Sequence, residues 1–108
     1  MLDGLWIVQY HGPGGVGGGV VVFTKGLVLG GDSGFAYVGS YEEKGDALKA
    51  KVSVAQFDPN IPSVLGIPGH HDLLIEGKIK DDTIEGTGAL VTHPDSKIVV
   101  RLRLHHKL

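Results

Sequence analysis

Apolar and polar residues alternate with a period of two over most of this chain, which is the spacing of side chains on a strand. From Leu48 to Phe57, Leu48, Ala50, Val52 and Val54 face one way, and Lys49, Lys51 and Ser53 the other. From Leu73 to Lys80, Leu73, Ile75 and Ile79 oppose Leu74, Glu76, Lys78 and Lys80. Thr83 to Val91 places Ile84 inward beside Gly86 and Gly88. In the last run, Lys97 to Leu104, Ile98, Val100, Leu102 and Leu104 oppose Lys97, Val99, Arg101 and Arg103. Leu5 to Tyr10 is apolar on both faces. Gly19 to Thr24, Leu27 to Leu29 and Phe35 to Tyr41 read as further strands. Lys25-Gly26, Glu42-Glu43-Lys44-Gly45-Asp46 and Asp81-Asp82 supply turns between them. The exception is Asp58 to Gly69, with prolines at 59, 62 and 68, where one helical turn from Ile61 to Leu65 capped by Asn60 is expected. About eight short strands with turn signals at this spacing predict an all-β antiparallel barrel of seven to nine strands, with at most one short helix. A length of 108 residues makes this one domain, 1–108.

Composition narrows the function classes. Eighteen glycines are more than twice the usual roughly 7%, so the fold consumes glycine. Inward glycines at 77, 86 and 88 suit a small barrel, where strands bend and side-chain room is short. They leave space that Trp6, Phe35 and Leu102 would fill. A net charge of −2 argues against a dedicated nucleic-acid binder. The absence of cysteine excludes disulfides and thiolate chemistry and suits the cytoplasm. No signal peptide is visible at the start of the chain. The longest apolar stretch, Gly14 to Phe23, is half glycine and half as long as a membrane-spanning helix requires, so no membrane partner is expected.

Three strings invite catalytic or cofactor readings. Gly31-Asp32-Ser33-Gly34 carries the letters around a protease nucleophile. A working serine needs a histidine base, an orienting carboxylate and an oxyanion hole, and only His11 precedes Ser33. The motif reads instead as a turn whose glycines supply positive φ and whose Asp32 and Ser33 bond nearby backbone. Gly12-Pro13-Gly14-Gly15-Val16-Gly17 fits the dinucleotide pattern, but a strand follows where a helix must open, so it reads as a flexible loop. His70-His71 and His105-His106 are adjacent pairs, which point to opposite faces of a strand and cannot chelate together. Asp72 leaves only a loop site beside His70 and His71. No cofactor, metal or catalytic residue is expected. Lys97, Arg101, Arg103, His105 and Lys107 form a basic stripe if the last strand continues; on that reading it is a solvated outer face.

Taken together, four segments resemble the GrlR family, negative regulators of type III secretion genes. They are Asp3-Gly4-Leu5-Trp6, where the family has Asp-Gly-Ile-Tyr; the glycine-led strand Gly19 to Phe23; Gly30-Gly31-Asp32 ahead of an aromatic strand with Tyr37 and Gly39; and Ile61-Pro62-Ser63-Val64-Leu65. Past residue 70 only the strand pattern matches. The resemblance implies a calycin or lipocalin-like barrel that forms a homodimer and is not an enzyme. It implies binding of a transcriptional activator through an exposed acidic loop, Glu-Asp-Glu-Asp in the family. Here that loop holds Glu42, Glu43 and Asp46, interrupted by Lys44 and Gly45. Calycins begin with Gly-x-Trp, here Gly4 and Trp6, and often lay a late-strand arginine over that tryptophan, a role falling to Arg101 or Arg103. The alternative function is a carrier whose barrel holds a small apolar ligand.

Overall fold

In a computed structural model, which describes every residue except Met1, Ile67 and Pro68, eight strands form a closed antiparallel barrel. They are β1 (Gly4–Gly12), β2 (Gly15–Thr24), β3 (Leu27–Gly31), β4 (Phe35–Lys44), β5 (Ala47–Gln56), β6 (His71–Lys80), β7 (Thr83–Leu90) and β8 (Lys97–Lys107). Each strand pairs with its neighbour in sequence, and β1 pairs with β8 to close the ring. Closure leaves no sheet edge to be covered.

The alternation read from the sequence sets which residues fill the interior. Leu48, Ala50, Val52 and Val54 are buried from β5, as are Ile98, Val100 and Leu102 from β8. Their charged neighbours Lys49, Lys51, Lys97, Arg101 and Arg103 are exposed. Hairpins join most strands through two-residue turns at Pro13-Gly14, Lys25-Gly26, Gly45-Asp46 and Asp81-Asp82. Lys25 and Gly26 both have positive φ (50° and 81°), as the primed turns that match strand twist require.

Three expectations are corrected. The glycine run before Val20 is paired strand rather than flexible loop, with Gly17 opposite Tyr10 and Gly19 opposite Val8. The connection 57–70 holds turns and no helix among its described residues. Asp58, not Asn60, is its acceptor, taking the Asn60 amide at 3.0 Å, and Gly66 N–H bonds Ser63 O at 3.0 Å. Pro68 lies outside the described residues. The inward glycines of β6 and β7 do not leave space. A Cβ on Gly86 would strike the Glu76 carbonyl across the pair, and one on Gly88 would meet Ile98 at 3.2 Å. Glycine here lets two strands approach and coil.

The two barrel ends differ. At one end Trp6 packs edge-on against Phe23 (centroids 5.8 Å apart), and Phe23 against Tyr41 (4.9 Å). Ile84 and Leu48 are fully buried nearby, and the Trp6 indole N–H donates to Leu2 O at 2.9 Å. This end is plugged. At the other end the 57–66 segment lies across the mouth. Gly14 N–H bonds Val64 O at 2.8 Å, Phe57 N–H bonds Gly34 O at 2.8 Å, and the Gln56 amide donates to Ile61 O at 3.0 Å.

Candidate functional site

Between plug and cap the interior keeps a cavity of about 320 Å³. Its wall is apolar, drawn from Val8, Val21, Val28, Val52, Leu73 and Val100 among others. Phe35 and Leu102 line it, whereas Trp6 does not reach it. An eight-stranded barrel has room for its own side chains or one small ligand, and this one retains the second option.

The polar feature of the cavity sits at its mouth. Tyr10 is the last inward residue but one on β1, Tyr37 points inward from β4, and Asp32 follows the end of β3. Both tyrosine hydroxyls donate to Asp32 Oδ2, and the two hydroxyl oxygens lie 2.9 Å apart. Asp32 Oδ1 accepts the Gly34 and Phe35 amides, each at 2.9 Å. Gly17 makes the arrangement possible: a Cβ there would lie 2.6 Å from the Tyr10 ring. Burial alone would raise the Asp32 pKa, but the four donors outweigh it and hold the carboxyl below its usual value. Burial, then the hydrogen bond to Asp32, pushes the Tyr10 hydroxyl up to about 12, and the same causes raise Tyr37 further. At neutral pH the cluster is therefore one carboxylate held by two neutral phenols.

This arrangement assigns the Gly-Asp-Ser-Gly string. Asp32 is the hub of a turn, as read, but Gly30, Gly31 and Gly34 do not have positive φ. They are glycine because other groups approach closely. A Cβ on Gly31 would lie 2.7 Å from Phe35 O, and one on Gly34 would lie 2.5 Å from the Ile61 side chain. Ser33 is exposed in the turn.

The remaining predicted residues are dispersed. Gly4 lies on β1 against the Lys107 backbone of β8. Arg101 and Arg103 do not cover Trp6: they face outward on β8, and Arg101 pairs with Glu85 at 2.8 Å. Leu104, opposite Trp6, takes the inward place, because even positions of β8 face the core. The basic stripe is broken where the β1–β8 register slips, skipping His105. Glu42, Glu43 and Asp46 are exposed at the plugged end, but only Asp46 lies in the turn; the glutamates belong to β4. Glu42 stands opposite Lys49, and Asp46 meets Lys78 at 3.6 Å. His70 contacts Ser53 Oγ at 2.6 Å and Asp72 at 3.5 Å. Among the described residues no three His, Asp or Glu side chains gather where a metal would sit.

One further surface was foreshadowed by the run Leu5 to Tyr10, apolar on both faces. Outward Leu5, Val22, Leu29 and Val38 stand opposite one another in a row across β1–β4. Leu29 and Val38 are 42% and 57% exposed, and Val20 and Leu27 flank them.

The family described as T3SS negative regulator, GrlR, matches residues 1–108, the whole chain. The chain belongs to the GrlR family. No curated protein matches it. The GrlR match extends the resemblance beyond the four segments that carried it to β6–β8, where only alternation was legible. It establishes a regulatory family for a barrel whose Ser33 has the setting of a turn residue. Sequence reasoning named Tyr37 only as part of the family resemblance and Tyr10 only as a strand end, and joined neither to Asp32. The available signal was their inward parity beside the strand ends that flank Asp32.

Proposed function

We propose that this GrlR-family protein represses secretion genes as a non-enzymatic, cytoplasmic homodimer that holds a transcriptional activator. The observation that carries the protein-binding reading is the apolar row Leu5, Val22, Leu29 and Val38 on the outside of a closed barrel. A closed barrel satisfies its own backbone and fills its core from the inward face, so an outer apolar row left partly exposed invites a protein surface. A second copy covers it: a self-complementary patch related by a twofold axis is the commonest way to bury such a row. The acidic group Glu42, Glu43 and Asp46 then meets the activator. Glu42 continues the outward face of β4 beyond Val38 and Ser40, so the acidic group borders the apolar row. A charged rim of this kind steers association more than it adds affinity. Titration of the activator with wild type and with the triple variant Glu42→Lys, Glu43→Lys, Asp46→Lys tests the assignment. Wild type should associate faster, and faster still at low salt. Equal rates for both proteins would place the activator contact elsewhere.

A second reading is favoured by the cavity. The barrel holds a small apolar ligand, as a lipocalin-like carrier does, between the Phe23 floor and the Ile61–Leu65 cap.

A further inference from the structure

The cavity that the second reading fills has a chemically one-sided mouth. Tyr10 and Tyr37 both spend their protons on Asp32 Oδ2. Their hydroxyl oxygens, 2.9 Å apart, keep lone pairs and have no further proton to offer. Asp32 Oδ1 is already an acceptor for Gly34 and Phe35. Every free valence of the cluster is thus an acceptor. Asp32 is also the one charged side chain among the described residues lining the cavity. None of the ion pairs among the described residues involves it. The cluster is partly buried and most of the cavity wall is apolar, which strengthens a charge contact made there relative to bulk water.

These observations select a ligand. A carboxylate or phosphate head would meet a fixed negative charge and oxygen lone pairs with no donor in return. A neutral hydroxyl would be accepted. A protonated amine satisfies both demands: it donates to the tyrosine oxygens and neutralises the Asp32 charge. The volume limits the body. About 320 Å³ is at the small end of ligand sites, roughly ten water-sized groups at about 30 Å³ each.

Resting on the reading that the barrel interior is a ligand site, we propose that the cavity binds a small apolar amine, its ammonium head on the Tyr10–Asp32–Tyr37 cluster and its hydrocarbon body toward Phe23.

Three probes with one chain and different heads test this by calorimetry on the full-length protein at pH 7: octylamine, 1-octanol and octanoate. Octylamine should bind tightest, about tenfold or more better than 1-octanol, and octanoate should not bind, since charge-assisted hydrogen bonds exceed neutral ones. Asp32→Asn keeps a side-chain oxygen acceptor but removes the charge, and should bring the amine and the alcohol to within about threefold of each other. Tyr37→Phe, which leaves the charge in place, should keep the amine preferred. Equal or tighter binding of octanoate or octanol to wild type would overturn the head-group assignment while showing that the interior is a ligand site. No binding of any probe would overturn the ligand-site reading itself, and the proposal with it.

Discussion

At the scale of single residues, the Tyr10–Asp32–Tyr37 cluster couples the barrel to pH at both extremes. The chain has three tyrosines, at 10, 37 and 41, and all have raised pKa values, each from burial first and then a hydrogen bond to a carboxylate. A raised pKa contributes stability that is complete below the unfolded value near 10 and is lost as pH rises through the folded one, about 12 for Tyr10. The lowered Asp32 pKa works the other way: its contribution is present above the ordinary carboxyl range and is lost as acid protonates the folded carboxylate. An alkaline titration followed by phenolate absorbance should therefore show no tyrosine ionising with the ordinary midpoint near 10. The phenols should ionise late and steeply, with the loss of barrel structure seen by circular dichroism. A smooth phenolate rise centred on 10 with the barrel intact would refute the cluster. Sequence alone disclosed half of this site. Asp32 was legible as a turn hub because its amide partners, Gly34 and Phe35, lie two and three residues away. Its tyrosines lie 22 and 5 residues away and come together only when β1 and β4 are placed in one barrel.

At the scale of elements, the strands follow from period-two alternation and the turns from glycine, proline and aspartate. What the pattern hides is curvature. Gly77 and Gly86 face each other across β6 and β7, and the sequence suggested that they open room inside. They instead bring two backbones together, so that a Cβ on Gly86 would collide with the Glu76 carbonyl. Whether an inward glycine makes a void or a close approach depends on strand coiling, which alternation does not encode. The arginines of β8 show the same limit: parity already placed Arg101 and Arg103 outward, and a tryptophan on the inside was beyond their reach. Gly86→Ala should destabilise the barrel by about 2–3 kcal/mol, as overpacking against an unyielding backbone does. Urea denaturation is the measurement. A change within about 0.5 kcal/mol, ordinary for a surface site, would mean that the strands are not in contact there.

At the scale of the whole molecule, the proposed protein contacts lie on the outside and one end of a closed barrel. The row Leu5, Val22, Leu29 and Val38 gives the dimer reading a direct test. Sedimentation at tens of micromolar should give a dimer for wild type and a monomer for the double variant Leu29→Glu, Val38→Lys. Both positions are exposed, so the fold should survive. A monomeric wild type, or a dimeric variant, would move the interface off this face. All three acidic residues, Glu42, Glu43 and Asp46, are exposed. The Asp46–Lys78 contact is an exposed pair of the kind worth about 0–1 kcal/mol, so reversing the charge at Asp46 should cost the barrel little. Membership of a secretion-repressor family makes gene output the decisive quantity. The most direct measurement is transcription from an activator-dependent type III secretion promoter in cells carrying wild type or the Glu42→Lys, Glu43→Lys, Asp46→Lys variant at equal folded levels. Wild type should lower the transcript several-fold and the variant should release it. Undiminished repression by the variant would contradict an activator held through the acidic group, and no repression by wild type would contradict the regulatory account altogether.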